Sequence, residues 1–503
     1  MVGYLQILAA IVAGLIAIYY YFHSKNNFWK KYGIPGPQPQ LFFGNFKSSI
    51  TRQKSTSDAI QELYEKNKHQ PIIGAYIGTQ PLVIVHDLDL VKDVLISDFS
   101  HFASRGIPMY PKVEDLSEHL FNLEPETWRP LRAKLSPVFT SGKLKEMFPL
   151  LLQCGEHLEQ YLKKIVKKDE TMECREIAAK YTTDVIGSCA FGIDMNALSE
   201  GDSEFRRMGR KIFAPSTQQM VRDISRQFLP TFYQIFGHLM QPKDVTDFFT
   251  RVVMDTMKYR DENNIVRPDF INMLLELKKN PSNLENIELT DSLLTAQAFV
   301  FFLAGFETSS STMGHALYEL ALNPDIQDKL RAEIRQKLEE NKKNGEGLTY
   351  DQVKNMKYLD AIFRETLRKY PILPILMRKV DTDYTFKGTK YTIPKNVPVW
   401  VPVIGIHRDP DIYPKPDVFD PERFTDNAMS TRHPMSFLAF GDGPRNCIGA
   451  RFAYYQSKVG LISILRHYKV SVCKKTTVPY KSDSKAFLLT LKGGVMLKMS
   501  YIE

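Results

Sequence analysis

Cys447 is the residue of this chain whose surroundings most plainly suit chemistry. It stands in the run Phe440-Gly441-Asp442-Gly443-Pro444-Arg445-Asn446-Cys447-Ile448-Gly449. The glycines permit backbone conformations and close approaches that side chains would block. Arg445 places a cation two residues from the sulfur, and a nearby cation favours the thiolate, the form that binds metals and attacks electrophiles. The residues by themselves leave a chemical thiolate, an inert cysteine in a turn and a phosphate-cradling glycine loop in contention. The loop reading fails in detail, because Gly441-x-Gly443-x-x-Asn446 lacks a third glycine and no Gly-Lys-Ser/Thr follows.

Other spacings carry chemistry too. In Ala304-Gly305-Phe306-Glu307-Thr308 a carboxyl and a hydroxyl adjoin in a largely apolar run. Such groups can pass protons at a water-poor site, or Thr308 can simply bond the carbonyl four residues earlier. Glu365 and Arg368, at i and i+3 on an amphipathic run ended by Pro371, share one helix face, where a solvated ion pair is the ordinary reading. Trp128 and Arg132 are one helical turn apart. The five cysteines contain no CxxC pair, which supports neither a zinc site nor a disulfide framework.

These residues need elements to position them, and 503 residues with 43% hydrophobic content can bury a large core. The net charge of +9 suits an anionic membrane surface, an acidic partner or nucleic acid. From Val2 to Phe22 no side chain is charged, so a helix there is long enough to span a bilayer. Lys25, Lys30 and Lys31 follow it and predict that the remainder faces the cytosol. We divide the chain into an anchor (1–24), a basic and Pro/Gly-rich linker (25–40) and a catalytic domain (41–503). Two β-rich runs between about 70 and 86 flank Gly78-Thr79 as a hairpin. Helical periodicity dominates from there to about 370, with the longest helix predicted from Thr290-Asp291 to a stop before Pro324 and a polar connector near 341–346. The expected class is mainly α with minor β.

The motifs, in this order, resemble those of the cytochrome P450 superfamily: WxxxR at Trp128-Arg132, [AG]Gx[DE]T at 304–308, ExxR at Glu365-Arg368 and FxxGxRxCxG at 440–449. The resemblance covers about residues 28 to 500. It implies the P450 fold, haem b with Cys447 as axial ligand to the iron, and a thiolate that pushes electron density to favour O–O cleavage. It further implies that Arg445, Trp128, Arg132, Arg105 and Arg378 pair with the haem propionates, and that Phe440 and Ala304 flank the group. Glu307 and Thr308 would relay protons, and Glu365, Arg368 and Arg423 would form a buried structural triad.

Phe139-Thr140-Ser141-Gly142-Lys143 and Phe302 to Ser310 look most like insect microsomal detoxification members, with Met377 standing where such relatives lead one to expect Asn. The resemblance implies NADPH as electron source through NADPH–cytochrome P450 reductase, cytochrome b5 as a second donor, membrane lipid and a lipophilic substrate as partners, no nucleic acid, and residence in the endoplasmic reticulum membrane. Arg129, Arg132, Lys134, Lys143 and Lys145, with no acid between Trp128 and Lys145, would make the reductase-docking face. Substrate contacts would come from 105–123, 299–304, 372–377 and 484–488. Oxidation of an endogenous lipid or hormone, and a haem-binding protein without turnover, are the competing functions.

Overall fold

The computed structural model describes residues 2–199, 203–213, 216–280, 287–343, 347–486 and 488–502. Residues 344–346 of the expected connector and Phe487 of the last expected substrate segment lie outside them. Among the described residues the strands are β1 (Ile72–Ile77), β2 (Gln80–Val85), β3 (Thr171–Glu173), β4 (Leu376–Lys379), β5 (Tyr384–Thr385), β6 (Thr392–Ile393), β7 (Pro398–Val401), β8 (Tyr468–Ser471) and β9 (Met496–Tyr501). The rest of the regular structure is helical, so the chain is mainly α with minor β. It forms two units, one of Met1–Gly106, Leu373–Pro416 and Arg432–Asn446, the other of Ile107–Ile372, Asp417–Thr431 and Cys447–Glu503.

The first unit is built on a four-stranded sheet of order β1-β2-β7-β4. β1 and β2 are antiparallel, pairing Ile72 with Val85 and Ile77 with Gln80 across the Gly78 turn, where φ is 60°. β7 runs parallel to β2 and antiparallel to β4. Val83, Val85, Val399 and Val401 are fully buried, as β-branched residues that fit a pleated core. Trp29 donates its indole N–H to the carbonyl of Ala75 at 3.0 Å. Its ring lies so close to Gly74 that a Cβ there would sit 2.3 Å from it, so this strand position requires glycine. The apolar helix Val2–Asn26 belongs to this unit and buries almost none of its side chains.

The second unit is organised around the helix Asp291–Leu322. Thr290 caps it by accepting the N–H of Leu293, and it ends just before Pro324, which cannot continue it from within. The helices Cys174–Ile186, Lys357–Lys369 and Ala450–Leu465 pack against this central helix. Glycine admits two close approaches: a Cβ at Gly305 would meet the end of the Ile186 side chain at 2.3 Å, and one at Gly460 would meet the Tyr181 ring at 2.6 Å. β3, β9 and β8 make a three-stranded antiparallel sheet in this unit.

The aromatic stretch Pro230–Met240 is held chiefly by Tyr233, with Gly237 buried and Met240 packed against the same cluster. Tyr233 is buried against Tyr110 and Val113 and hydrogen-bonds Glu114 at 2.5 Å. Phe232, Ile235, Phe236 and Leu239 face outward instead, so core packing does not explain them.

Candidate functional site

The cysteine loop is shaped by its glycines. Gly441 and Gly443 have φ of 67° and 71°, and a Cβ at Gly443 would lie 1.9 Å from the carbonyl oxygen of Leu95. Position 443 therefore excludes every side chain on two grounds, the backbone conformation and the contact. Asp442 accepts the N–H of Gly443 at 2.6 Å, and Asn446 donates its N–H to the carbonyl of Gly443 at 3.0 Å. Arg445 is buried and donates from Nε to the carbonyl of Ala103, while its own carbonyl accepts Nη2 of Arg105.

Arg378, on β4 of the same unit, is a different case. It is 2% exposed, bonds only the carbonyl of its neighbour Met377, and leaves Nε without a partner. Burial lowers its pKa to about 10. A buried guanidinium with no acid beside it among the described residues is costly unless an anion joins it.

In the second unit Cys447 is exposed, whereas Cys154, Cys174 and Cys189 are buried. Burial pushes the Cys154 thiol up to about 12, so it is inert at neutral pH. Cys447 precedes the helix Ala450–Leu465, whose N-terminal dipole favours a nearby anion. Trp128 and Arg132 come from the helix Pro125–Leu135, and Trp128 is buried. Burial lowers the pKa of Arg132, and the nearby Cys447 opposes that shift.

Midway along the central helix Ala304 is exposed, and Phe299, Val300, Phe301, Leu303, Gly305 and Thr308 around it are half-buried. The hydroxyl of Thr308 donates to the carbonyl of Ala304 at 2.6 Å, the local bond anticipated as the alternative to a relay. Glu307 takes a different partner, Nη1 of Arg175 at 2.5 Å. Its burial raises the carboxyl pKa, against the charge of Arg175.

Glu365 and Arg368 are not a solvated pair. Both are fully buried, with Arg368 donating to both carboxylate oxygens at 2.7 and 2.8 Å. Arg423 stands 3.5 Å from the same carboxylate, and the N–H of Asp420 donates to it at 3.0 Å. Burial raises the pKa of Glu365, while Arg368 holds it down. Removing one partner of such a pair costs about 3–5 kcal/mol, since the other is left buried and charged.

A family model described as Cytochrome P450 matches residues 34–499. The chain belongs to the cytochrome P450 family. It is 42% identical to "Probable cytochrome P450 6a14" of Drosophila melanogaster over 98% of this chain and 99% of that one. It is 41% identical to "Cytochrome P450 6A1" of Musca domestica over 96% of each, and 37% identical to "Cytochrome P450 6k1" of Blattella germanica over 98% of this chain and 96% of that one. As a P450 the chain is a monooxygenase and its cofactor is haem iron. The orphaned cation of Arg378 fits the carboxylates of that group, and the exposed Cys447 fits its iron.

Sequence reasoning overlooked several polar residues that bond the central helix of this P450 from neighbouring elements, two buried and one half-buried. Gln456 donates from Nε2 to the carbonyl of Gly305 at 3.2 Å, and Thr182 donates to that of Phe306 at 2.9 Å. Arg175 is the third, through Glu307. The signal for Gln456 was its polarity amid the apolar residues of Ala450–Leu465; nothing local marked Thr182 or Arg175. The basic stretch 128–145 also needs correcting. Lys143 pairs with Glu146 at 2.7 Å and Lys145 with Asp351 at 3.3 Å, so acids outside that window neutralise part of the face.

Proposed function

We propose that this chain is a membrane-anchored haem-thiolate monooxygenase with Cys447 as the iron ligand, catalysing RH + O2 + NADPH + H+ → ROH + H2O + NADP+. The observation that carries the assignment is Cys447 itself: exposed, ahead of a helix N-terminus, and within the field of Arg132. Bound haem would supply reductive activation of O2 and insertion of one oxygen atom into a C–H bond. The protein's part is to hold, to insulate and to deliver protons. Arg105, Arg378 and Arg445, with Trp128 and Arg132, are assigned to the haem carboxylates, and Phe440 and Ala304 to its faces. Thr308 holds a proton at Oγ1, and Glu307 is the buried acid next to it in sequence. Glu365, Arg368 and Arg423 brace the fold and take no part in the chemistry.

Electrons come from NADPH through a reductase, with cytochrome b5 as a second donor. Arg129 and Lys134 have no acidic partner among the described residues and support docking of an acidic protein there. The anchor (1–24) and linker (25–40) hold the catalytic domain (41–503) at the endoplasmic reticulum, and Lys25, Lys30 and Lys31 support a cytosolic orientation. The substrate is lipophilic, and the likeness of 139–143 and 302–310 to insect detoxification members supports a plant toxin or insecticide.

Carbon monoxide added to the reduced protein tests the ligand. A red-shifted Soret band is expected, and Cys447→Ala should abolish it; a normal thiolate band in that variant would overturn the assignment. Turnover of plant toxins and insecticides against fatty acids and hormones decides the substrate class.

A further inference from the structure

The central helix carries side-chain hydrogen bonds on five successive carbonyls, 304 to 308; those of Glu307 and Thr308 are bonded from within the helix, by Ser310 at 3.0 Å and Thr312 at 2.8 Å. Ala304 O accepts from Thr308 Oγ1 at 2.6 Å, Gly305 O from Gln456 Nε2 at 3.2 Å and Phe306 O from Thr182 Oγ1 at 2.9 Å. The helix is continuous through these residues, so each carbonyl also serves an N–H four residues on, using its second lone pair. The donors lie on different elements: the helix itself, Ala450–Leu465 and Cys174–Ile186. Side-chain donors on helix carbonyls are among the causes of helix bending.

Gly305 is the second of these positions, close against Ile186. Glycine is the residue whose backbone is least self-determined. A peptide plane flanked by glycine needs an external hold, and the Gln456 amide supplies one. Gln456 is fully buried, and its Oε1 has no partner among the described residues. An amide with one arm bonded and the other orphaned stabilises a core less than an apolar residue of equal length would. Stability alone therefore does not account for it. Its place does: it stands nine residues after Cys447, on the helix that begins at Ala450.

We propose that Gln456 is a positioning residue, a strut from the helix that follows the thiolate to the Gly305 carbonyl, which sets the plane of the 305–306 peptide and, through the shared Gly305, steadies the adjoining 304–305 peptide to which the Thr308 hydroxyl is bonded. Thr182 braces the next carbonyl in the same way. The role rests on the assignment of Cys447 and Thr308 given above, and it predicts a geometric fault rather than a lost proton donor when the strut is cut.

The test is Gln456→Met in the full-length, haem-loaded chain, a substitution that nearly conserves volume and removes the donor. Amide hydrogen exchange over 304–310 should quicken, and the C–O stretching band of carbon monoxide on the reduced protein should shift or broaden while the red-shifted Soret band stays. Product per NADPH should fall about threefold to tenfold, the factor that one neutral hydrogen bond commands. Thr182→Val, which is nearly isosteric, should move exchange and the C–O band in the same direction by less, and it serves if Gln456→Met does not fold. Unaltered exchange and an unaltered C–O band in the variant that folds would overturn the strut, whatever its melting temperature. Loss of the red-shifted band in the unsubstituted chain would instead overturn the thiolate assignment, and the exchange measurement would still decide the strut.

Discussion

Among the described residues two helices are long and apolar enough to cross a membrane, Gly3–Asn26 and Asp291–Leu322, yet they meet opposite surroundings. None of the most apolar stretch of the first is buried in the protein, whereas 56% of the second is. Composition nearly fails to separate them. What separates them is polar content and where it is satisfied. The first offers lipid almost nothing to hydrogen-bond beyond its own backbone, as a span must. The second carries Gln297, which bonds Glu118 and Leu120, and Glu319, which accepts from Tyr370 and Lys369, besides Glu307 and Thr308. Polar groups in an apolar helix mark a helix whose solvent is protein, and here the least buried of them sit beside Ala304.

The largest expected effect comes from putting the same charge into each helix. Leu317 is fully buried, so Leu317→Asp strands a carboxylate in the core and should cost several kcal/mol, enough to leave little folded protein in a thermal melt. Leu8 is 58% exposed, so Leu8→Asp should leave the melt of the catalytic part unchanged while weakening membrane insertion by about 2.5–3.5 kcal/mol. Equal destabilisation by both would erase the contrast.

Deleting residues 1–24 comes next. Most of the protein should leave the membrane pellet with its carbon monoxide band intact, because that helix packs on little else. The fraction that remains bound should drop again in Ile235→Ser/Leu239→Ser, which removes exposed apolar side chains from the Pro230–Met240 stretch. A truncated chain that no longer took up haem would make the anchor part of the folding core.

Thr308→Ala probes the polar side of the comparison. Loss of a positioned proton donor costs on the order of 100-fold in the step it serves, and water filling the gap reduces the observed loss. NADPH oxidation should continue while product per NADPH falls and hydrogen peroxide rises, with Thr308→Ser partly restoring coupling. Stability should change by about 1 kcal/mol or less, since the hydroxyl bond is intrahelical and alanine favours helix. Unchanged peroxide would leave Thr308 with only its bond to Ala304.

The smallest effect belongs to Lys143→Ala. It breaks a pair with the same i,i+3 spacing as Glu365–Arg368, but an exposed one, so stability should move by about 0.5 kcal/mol or less. A modest rise in the reductase concentration needed for half-maximal rate, fading at high salt, would support the docking face. No salt-dependent change would remove Lys143 from it.

Much of this was legible in the chain. Periodicity and capping located the central helix at Thr290 and its stop before Pro324, the Gly78 turn located the β1–β2 hairpin, and the absence of charge located the apolar N-terminal helix. Those features are local: a turn, a cap or an apolar run is decided by residues a few positions apart. Motif spacing likewise brought Glu365 and Arg368 to one face. Spacing did not say that the last pair is dry, because burial depends on Asp420 and Arg423 arriving from 55 or more residues away. Nor did it say which carbonyl each polar side chain would choose. Thr308 could be read to bond Ala304, four residues back on its own helix; Gln456 reaches Gly305 across 151 residues and Arg175 reaches Glu307 across 132. A sequence pattern constrains neighbours within a turn or two of helix. Partners on separate helices are chosen by packing, when the apolar faces that bury together bring their few polar groups within bonding distance and leave no water to compete for them.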